Sequence, residues 1–84
     1  MSRPRDVVEV ICRALVDRPD DVEVREREHA GSIRVELRSA PGDLGKLIGR
    51  QGRTATAVRT LAQVAAGDVG PRVTVDFLDD LPER

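Results

Sequence analysis

The residues with the clearest chemistry are Gly49-Arg50-Gln51-Gly52, two glycines bracketing a cation and an amide. Leu47-Ile48 precede them, and an alanine-rich stretch beginning Arg53-Thr54-Ala55 follows. Glycine lacks a Cβ, so a ligand can approach its main chain closely and positive φ costs little. A turn of this kind that feeds a helix presents unpaired N–H groups and the positive end of the helix dipole to an anion. Arg50 adds a forked donor matched to phosphate, and Gln51 adds an amide. Lys46 and Arg53 flank the turn with further positive charge. The chemistry implied is a grip on a phosphodiester backbone rather than bond making or breaking.

Glycine spacing alone is not selective, because Gly42/Gly45 and Gly67/Gly70 have the same interval. The first encloses Asp43-Leu44, and an anion there repels phosphate. The second encloses Asp68-Val69 ahead of Pro71 and reads as a helix stop followed by a turn. Only the middle pair holds a basic residue and lies between two helical patterns.

The rest of the chain offers little for catalysis. His29 is the only histidine and falls in an expected turn; Cys12 is the only cysteine and borders an apolar stripe, where it reads as a small buried hydrophobe. There is no acid–base pair at workable spacing and no metal-ligand cluster. Gly45-Lys46 is followed by Leu47, so this is not a P-loop. The expectation is a non-enzyme with no cofactor, no metal and no small-molecule substrate.

The elements that position the turn follow from composition and periodicity. With 84 residues the chain reads as one domain, 1–84, with an ordered core over about 4–78 and a fraying tail at 79–84. Charged residues make up 35%, and Phe77 is the only aromatic, so Leu, Ile, Val and Ala must build the core. The net charge is −1, yet Ser39 to Gly67 carries four cations against one anion. Positive charge is thus gathered around the glycine turn, a local electrostatic footprint. One cysteine excludes an internal disulfide and fits a reducing compartment. No apolar run approaches a membrane span, and the start of the chain lacks a signal peptide's apolar segment, so the cytoplasm is expected.

Val7, Val8, Ile11, Ala14 and Leu15 recur at helical spacing, which predicts a helix from about Pro4 to Asp17, stopped by Pro19. Alternation from Val22 to Glu28 and from Ser32 to Ser39 predicts an antiparallel hairpin with its tip at His29 to Ser32. Arg34 and Arg38, on the polar face, could border a ligand groove. A short helix is expected over about Gly42 to Ile48. A second runs from about Arg53 to Ala66, with Thr54, Val58, Leu61, Ala62 and Ala65 on its packed face. Val73, Val75 and Phe77 alternate inward in a last strand. The two helices between the second and last strands allow those strands to pair in parallel. The predicted fold class is α+β: a two-layer sandwich of order αββααβ, with a three-stranded sheet covered on one face by three helices.

Leu47-Ile48-Gly49-Arg50-Gln51-Gly52 between two helices resembles the signature of the KH domain. The αββααβ order resembles its bacterial type, called type II. The whole chain is similar to small stand-alone bacterial KH proteins consisting of this domain alone, with the resemblance covering roughly Pro4 to Leu78. It implies binding of single-stranded RNA with weak sequence preference. Gly49, Arg50, Gln51 and Gly52 would hold the sugar–phosphate backbone. Lys46 and Arg53 would add charge. Gly45 and Ile48, with Val35 or Leu37 nearby, would shape an apolar floor for bases. It further implies a homodimer or a heterodimer with a larger KH-containing RNA-binding protein, and RNA chaperone or post-transcriptional roles linked to cell-wall growth and cell shape. One departure matters. No Tyr or Trp is present, so bases lack aromatic platforms worth about 1–3 kcal/mol each.

Two other readings compete. One is a protein-interaction module without direct RNA contact. The other is a DNA-reading helix-turn-helix, whose second helix would present Thr56, Arg59, Thr60 and Gln63.

Overall fold

The computed structural model describes residues 2–78. The tail expected to fray, 79–84, lies outside the described residues. Helix α1 spans Arg3–Leu15 and opens on Ser2, whose Oγ accepts the Arg5 N–H at 3.2 Å. Pro4 sits in the first turn, where its missing N–H costs nothing. The helix ends two residues before the expected Asp17, because Val16 turns extended (φ −93, ψ 162) and enters the core at 9% exposure. The inward face is Pro4, Val8 and Cys12, one helical turn apart. Cys12 lies at the centre of that face, while Ala14 and Leu15, expected inward, are exposed.

Strands β1 (Glu23–His29) and β2 (Ser32–Arg38) pair antiparallel from Glu23 opposite Arg38 to His29 opposite Ser32. The two-residue turn places both Ala30 (φ 51) and Gly31 (φ 82) at positive φ. This is the primed turn geometry, whose twist matches that of the strands. Helices α2 (Leu44–Ile48) and α3 (Arg53–Ala66) then carry the chain over to β3 (Arg72–Phe77), which pairs with β2 in parallel. The order is β1-β2-β3, so the second strand of the hairpin is central.

The helices cover one face of the sheet. Val8, Cys12, Leu47, Val58 and Ala62 from that layer meet Ile33, Val35, Leu37 and Val75 from the sheet in a single core. Phe77 and Val73 pack against its margin, half-buried. Each fully buried Val or Leu contributes about 1.5–3 kcal/mol of transfer free energy. Leu61, expected on the packed face of α3, is 48% exposed, and Ala55 occupies the inward position instead. The two-layer α+β fold of order αββααβ is as the sequence implies.

Candidate nucleic-acid interface

Helix α2 is brief because Gly49 breaks it. Gly49 adopts φ 77, ψ 172, a conformation essentially reserved for glycine. It also has no room for a side chain: an added Cβ would overlap Thr54 Oγ1 and lie 2.8 Å from Thr54 Cβ. Gln51 (φ 57, ψ 25) and Gly52 (φ 72, ψ 14) follow in left-handed geometry, and α3 starts at Arg53. An added Cβ at Gly52 would meet nothing within 4 Å. The two glycines therefore do different work. Gly49 lets the turn close on α3, and Gly52 leaves open surface above it.

Within the turn, the Gly49 N–H reaches Gly45 O at 2.9 Å, the Gly52 N–H reaches Gly49 O at 3.1 Å, and the Arg53 N–H bonds Arg50 O. Among the described residues, no hydrogen bond uses the N–H of Arg50 or Gln51. Both residues are exposed. Arg50 is held in no ion pair among the described residues. Gln51 Oε1 accepts from Arg53 Nη2 at 3.0 Å, so those two side chains form one polar unit over the turn.

Of the other expected site residues, Gly45 faces open space on α2, and Ile48 is half-buried beside the turn. Lys46 leans back from the turn, its Nζ 3.2 Å from Asp17 Oδ2 and 3.9 Å from Asp43 Oδ1. Val35 and Leu37 cannot form a floor for bases, because both are 0% exposed on the inner face of the central strand. Arg34 lies on the outer face of the sheet, away from the helices and the turn, and its Nε donates to Asp76 Oδ2 at 2.6 Å. By strand alternation Arg38 shares that outer face. Both therefore lie on the face turned away from the helical layer that carries the turn.

The flanking glycine pairs are structural. Asp43, inside the first, is 4% exposed and its Oδ2 accepts the Arg18 N–H at 3.1 Å. Gly67 caps α3 at φ 90, and a Cβ on Gly70 would overlap Ala66 O.

One cation was missed by periodicity. Arg59, on α3, donates from Nε to Val75 O at 3.2 Å and lies 5.2 Å over the Phe77 ring. Farther along the same helix, Gln63 donates to Pro71 O at 3.0 Å and accepts the Val73 N–H at 2.9 Å. These side chains take up Pro71 O, the Val73 N–H and Val75 O at the free edge of β3, which would otherwise be unpaired backbone. Their commitment to β3 counts against a helix-turn-helix, which needs them free for base edges. It also leaves the Arg59 guanidinium lying over Phe77 at the strand edge.

Among the described residues no group of three or more His, Cys, Asp or Glu could hold a metal, and no helix is long and apolar enough to cross a membrane. Cys12 is a free thiol in the core, and burial pushes its pKa up to about 11.

Comparison with known proteins agrees with this architecture. The family model "KhpA/KhpB, KH domain" matches residues 5–77. A protein of Halalkalibacterium halodurans named RNA-binding protein KhpA is 47% identical over 75 residues, 89% of this chain and 99% of that one. Its namesake in Aquifex aeolicus is 42% identical over 79 residues, 94% of this chain and 100% of the relative. The one in Mycobacterium tuberculosis is 49% identical over 74 residues, covering 88% and 89% of the two chains. No solved structure matches. With the turn seated between two helices over a β1-β2-β3 sheet, and the match running nearly from end to end, the chain belongs to the KhpA/KhpB family of KH-domain proteins.

Proposed function

We propose that the chain binds single-stranded RNA in the cytoplasm, holding the sugar–phosphate backbone at Gly49, Arg50, Gln51 and Gly52. The supporting observation is the open turn itself. Among the described residues, two adjacent main-chain N–H groups lack an internal acceptor and an exposed arginine carries no ion pair, and a helix of 14 residues starts immediately behind them. A phosphate seated there meets backbone donors, a forked cation and the positive end of α3 together. Arg53 adds charge through its link to Gln51. Gly45 and Ile48 flank the groove, and Lys46 stands farther back. The Arg59 guanidinium over Phe77 offers a plane on which a base can stack, in place of a free aromatic ring.

Pairing with a second copy, or with a larger KH-containing protein, belongs to the same proposal. Val10 (69% exposed), Leu61 (48%) and Val64 (69%) stand on the outer faces of α1 and α3, which pack against each other. A partner covering them would bury apolar surface and raise the effective concentration of a second turn. The same residues are what a purely protein-binding role would use. Chaperone activity and the link to cell wall and shape rest on the family resemblance alone.

The test is Arg50→Asp with Gln51→Asp. Asp tolerates left-handed backbone, so the turn should survive. Losing charge-assisted bonds of about 1.5–3 kcal/mol lowers RNA affinity roughly 10- to 100-fold. Circular dichroism and melting should stay as in the parent. A double variant that binds RNA equally well removes the turn as the site. RNA affinity should also fall steeply with salt, since phosphate contacts dominate.

A further inference from the structure

The outer face of the sheet, turned away from the helices, carries an ordered array of charge. The strand registers place His29, Ser32 and Arg72 in one row, Arg27, Arg34 and Thr74 in the next, Arg25, Glu36 and Asp76 in a third, and Glu23 beside Arg38 in a fourth. The carboxylates are confined to the third and fourth rows. The two rows at the hairpin end hold three arginines and a histidine with no carboxylate among their six outward positions. Glu28, next to His29 in the chain, points to the other face by alternation.

Arg27 and Arg34 are directly opposite each other in the antiparallel pair. Like charges in that relation oppose strand pairing. Relief comes from below: Arg27 Nε is 3.6 Å from Glu36 Oε1, and Arg34 reaches Asp76. The Arg27 side chain is 68% exposed, so its loose pair contributes little and exchanges readily for another anion. Arg34 is held closely by Asp76, yet its side chain stays 59% exposed. Arg72 and His29 have no ion pair among the described residues. Between these side chains lies a recess of about 380 Å³ lined by Arg27, His29, Ser32, Ile33, Arg34 and Thr74.

We propose that Arg27, Arg34 and Arg72, with His29, Ser32 and Thr74 around them, form a second phosphodiester-binding surface for single-stranded RNA on the outer face of the sheet. Three features favour RNA. The cations are arginines, whose forked donors grip phosphate in two places. They occupy three adjacent strands, about 4.8 Å apart, so a chain of phosphates meets them in succession. The Thr74 hydroxyl supplies a neutral donor beside them, while that of Ser32 donates to His29 O at 2.9 Å and helps hold the hairpin end in shape. The glycine turn lies at the opposite end of β2 and β3, because α3 runs from the turn back to Gly67 and the start of β3. Parallel strands of this length span about 20 Å. A tetranucleotide filling the turn therefore cannot reach the hairpin end, whereas a longer strand can occupy both surfaces. The inference rests on RNA being the ligand of the turn.

The experiment measures Arg27→Gln with Arg72→Gln against a tetranucleotide and against an RNA several times longer, across a salt series. Tetranucleotide affinity should match the parent. Affinity for the longer RNA should fall by about tenfold at low salt, and its salt slope should become shallower by about 1.4, roughly 0.7 for each phosphate no longer neutralised. The variant should melt no lower than the parent, since the Arg27–Arg34 opposition is relieved; Arg27→Lys with Arg72→Lys, which keeps the charge, should restore the slope. Unchanged affinity and slope for the longer RNA overturn the proposal. So does loss confined to anionic phospholipid vesicles with RNA binding intact. Failure at the turn is seen separately, as tetranucleotide binding that survives Arg50→Asp with Gln51→Asp.

Discussion

Replacing Gly49 by Ala tests whether the first glycine of the turn is held by packing or by ligand access. At φ 77, ψ 172 any L-residue is strained, by about 1–3 kcal/mol. The added Cβ would also sit on Thr54 Oγ1, 2.8 Å from Thr54 Cβ and 3.0 Å from its backbone nitrogen. Thr54 lies in the first turn of α3 and cannot withdraw without moving the helix start, an overpacking cost of typically about 1–3 kcal/mol. The two terms together place Gly49→Ala about 4 kcal/mol below the parent. Gly52→Ala is the control: its left-handed backbone costs about 1–2 kcal/mol, and nothing lies within 4 Å of the new atom. In a domain of this size 1 kcal/mol shifts Tm by roughly 4–8 °C, so the variants should melt at least about ten degrees apart. Urea denaturation gives the difference directly. If both lose the same stability, or Gly52→Ala loses more, Thr54 is not what excludes a side chain at Gly49.

Cys12 and Arg59 give two further checks. Burial raises the Cys12 thiol to about 11, so the folded chain should resist thiol reagents at about pH 8 and react only on unfolding. The folded state holds this proton more tightly than the unfolded chain does, so the contribution is intact below the ordinary thiol range. It is lost as pH rises toward 11, by up to about 1.4 kcal/mol per pH unit, visible in urea midpoints. Arg59→Ala removes the bond to Val75 O and the stacking on Phe77, costing about 1–3 kcal/mol by denaturation. Arg59→Lys keeps the charge but not the planar fork, and should recover less than half of that loss; full recovery would show that charge alone matters.

How far the sequence carried depends on how local each signal is. Helix α3 and strand β3 run over the residues read from periodicity, Arg53–Ala66 and Arg72–Phe77, because glycine and proline stops bound them. The end of α1 was not legible. Val16 leaves the helix to join the core, and only the packed structure offers that alternative. The ion pair of Lys46 with Asp17 joins residues far apart in the chain, so the sequence shows a cation near the turn but not the side chain's direction. Arg59 and Gln63 fall on the polar side of α3, where periodicity assigns them to water. The edge of β3 lies there instead, and their pattern on the helix carries no sign of it.

The lack of free aromatic rings has a structural counterpart. On the proposed function, a KH groove that cannot stack bases on Tyr or Trp would draw its affinity from phosphate and from the guanidinium–Phe77 plane. Phosphate contacts read no sequence, so one such groove discriminates poorly and weakens quickly with salt. Selectivity must then come from how many contacts a strand can satisfy at once. In this fold the helical layer puts the turn at one end of β3, and alternation puts arginines on the opposite face at the other end. On the proposed function, an RNA would be distinguished by whether its unpaired stretch is long and pliable enough to follow that path, or by whether two copies present their turns at matching separation. Both criteria would select for single-stranded length over base identity, which suits a site built on one glycine turn with few means of reading bases.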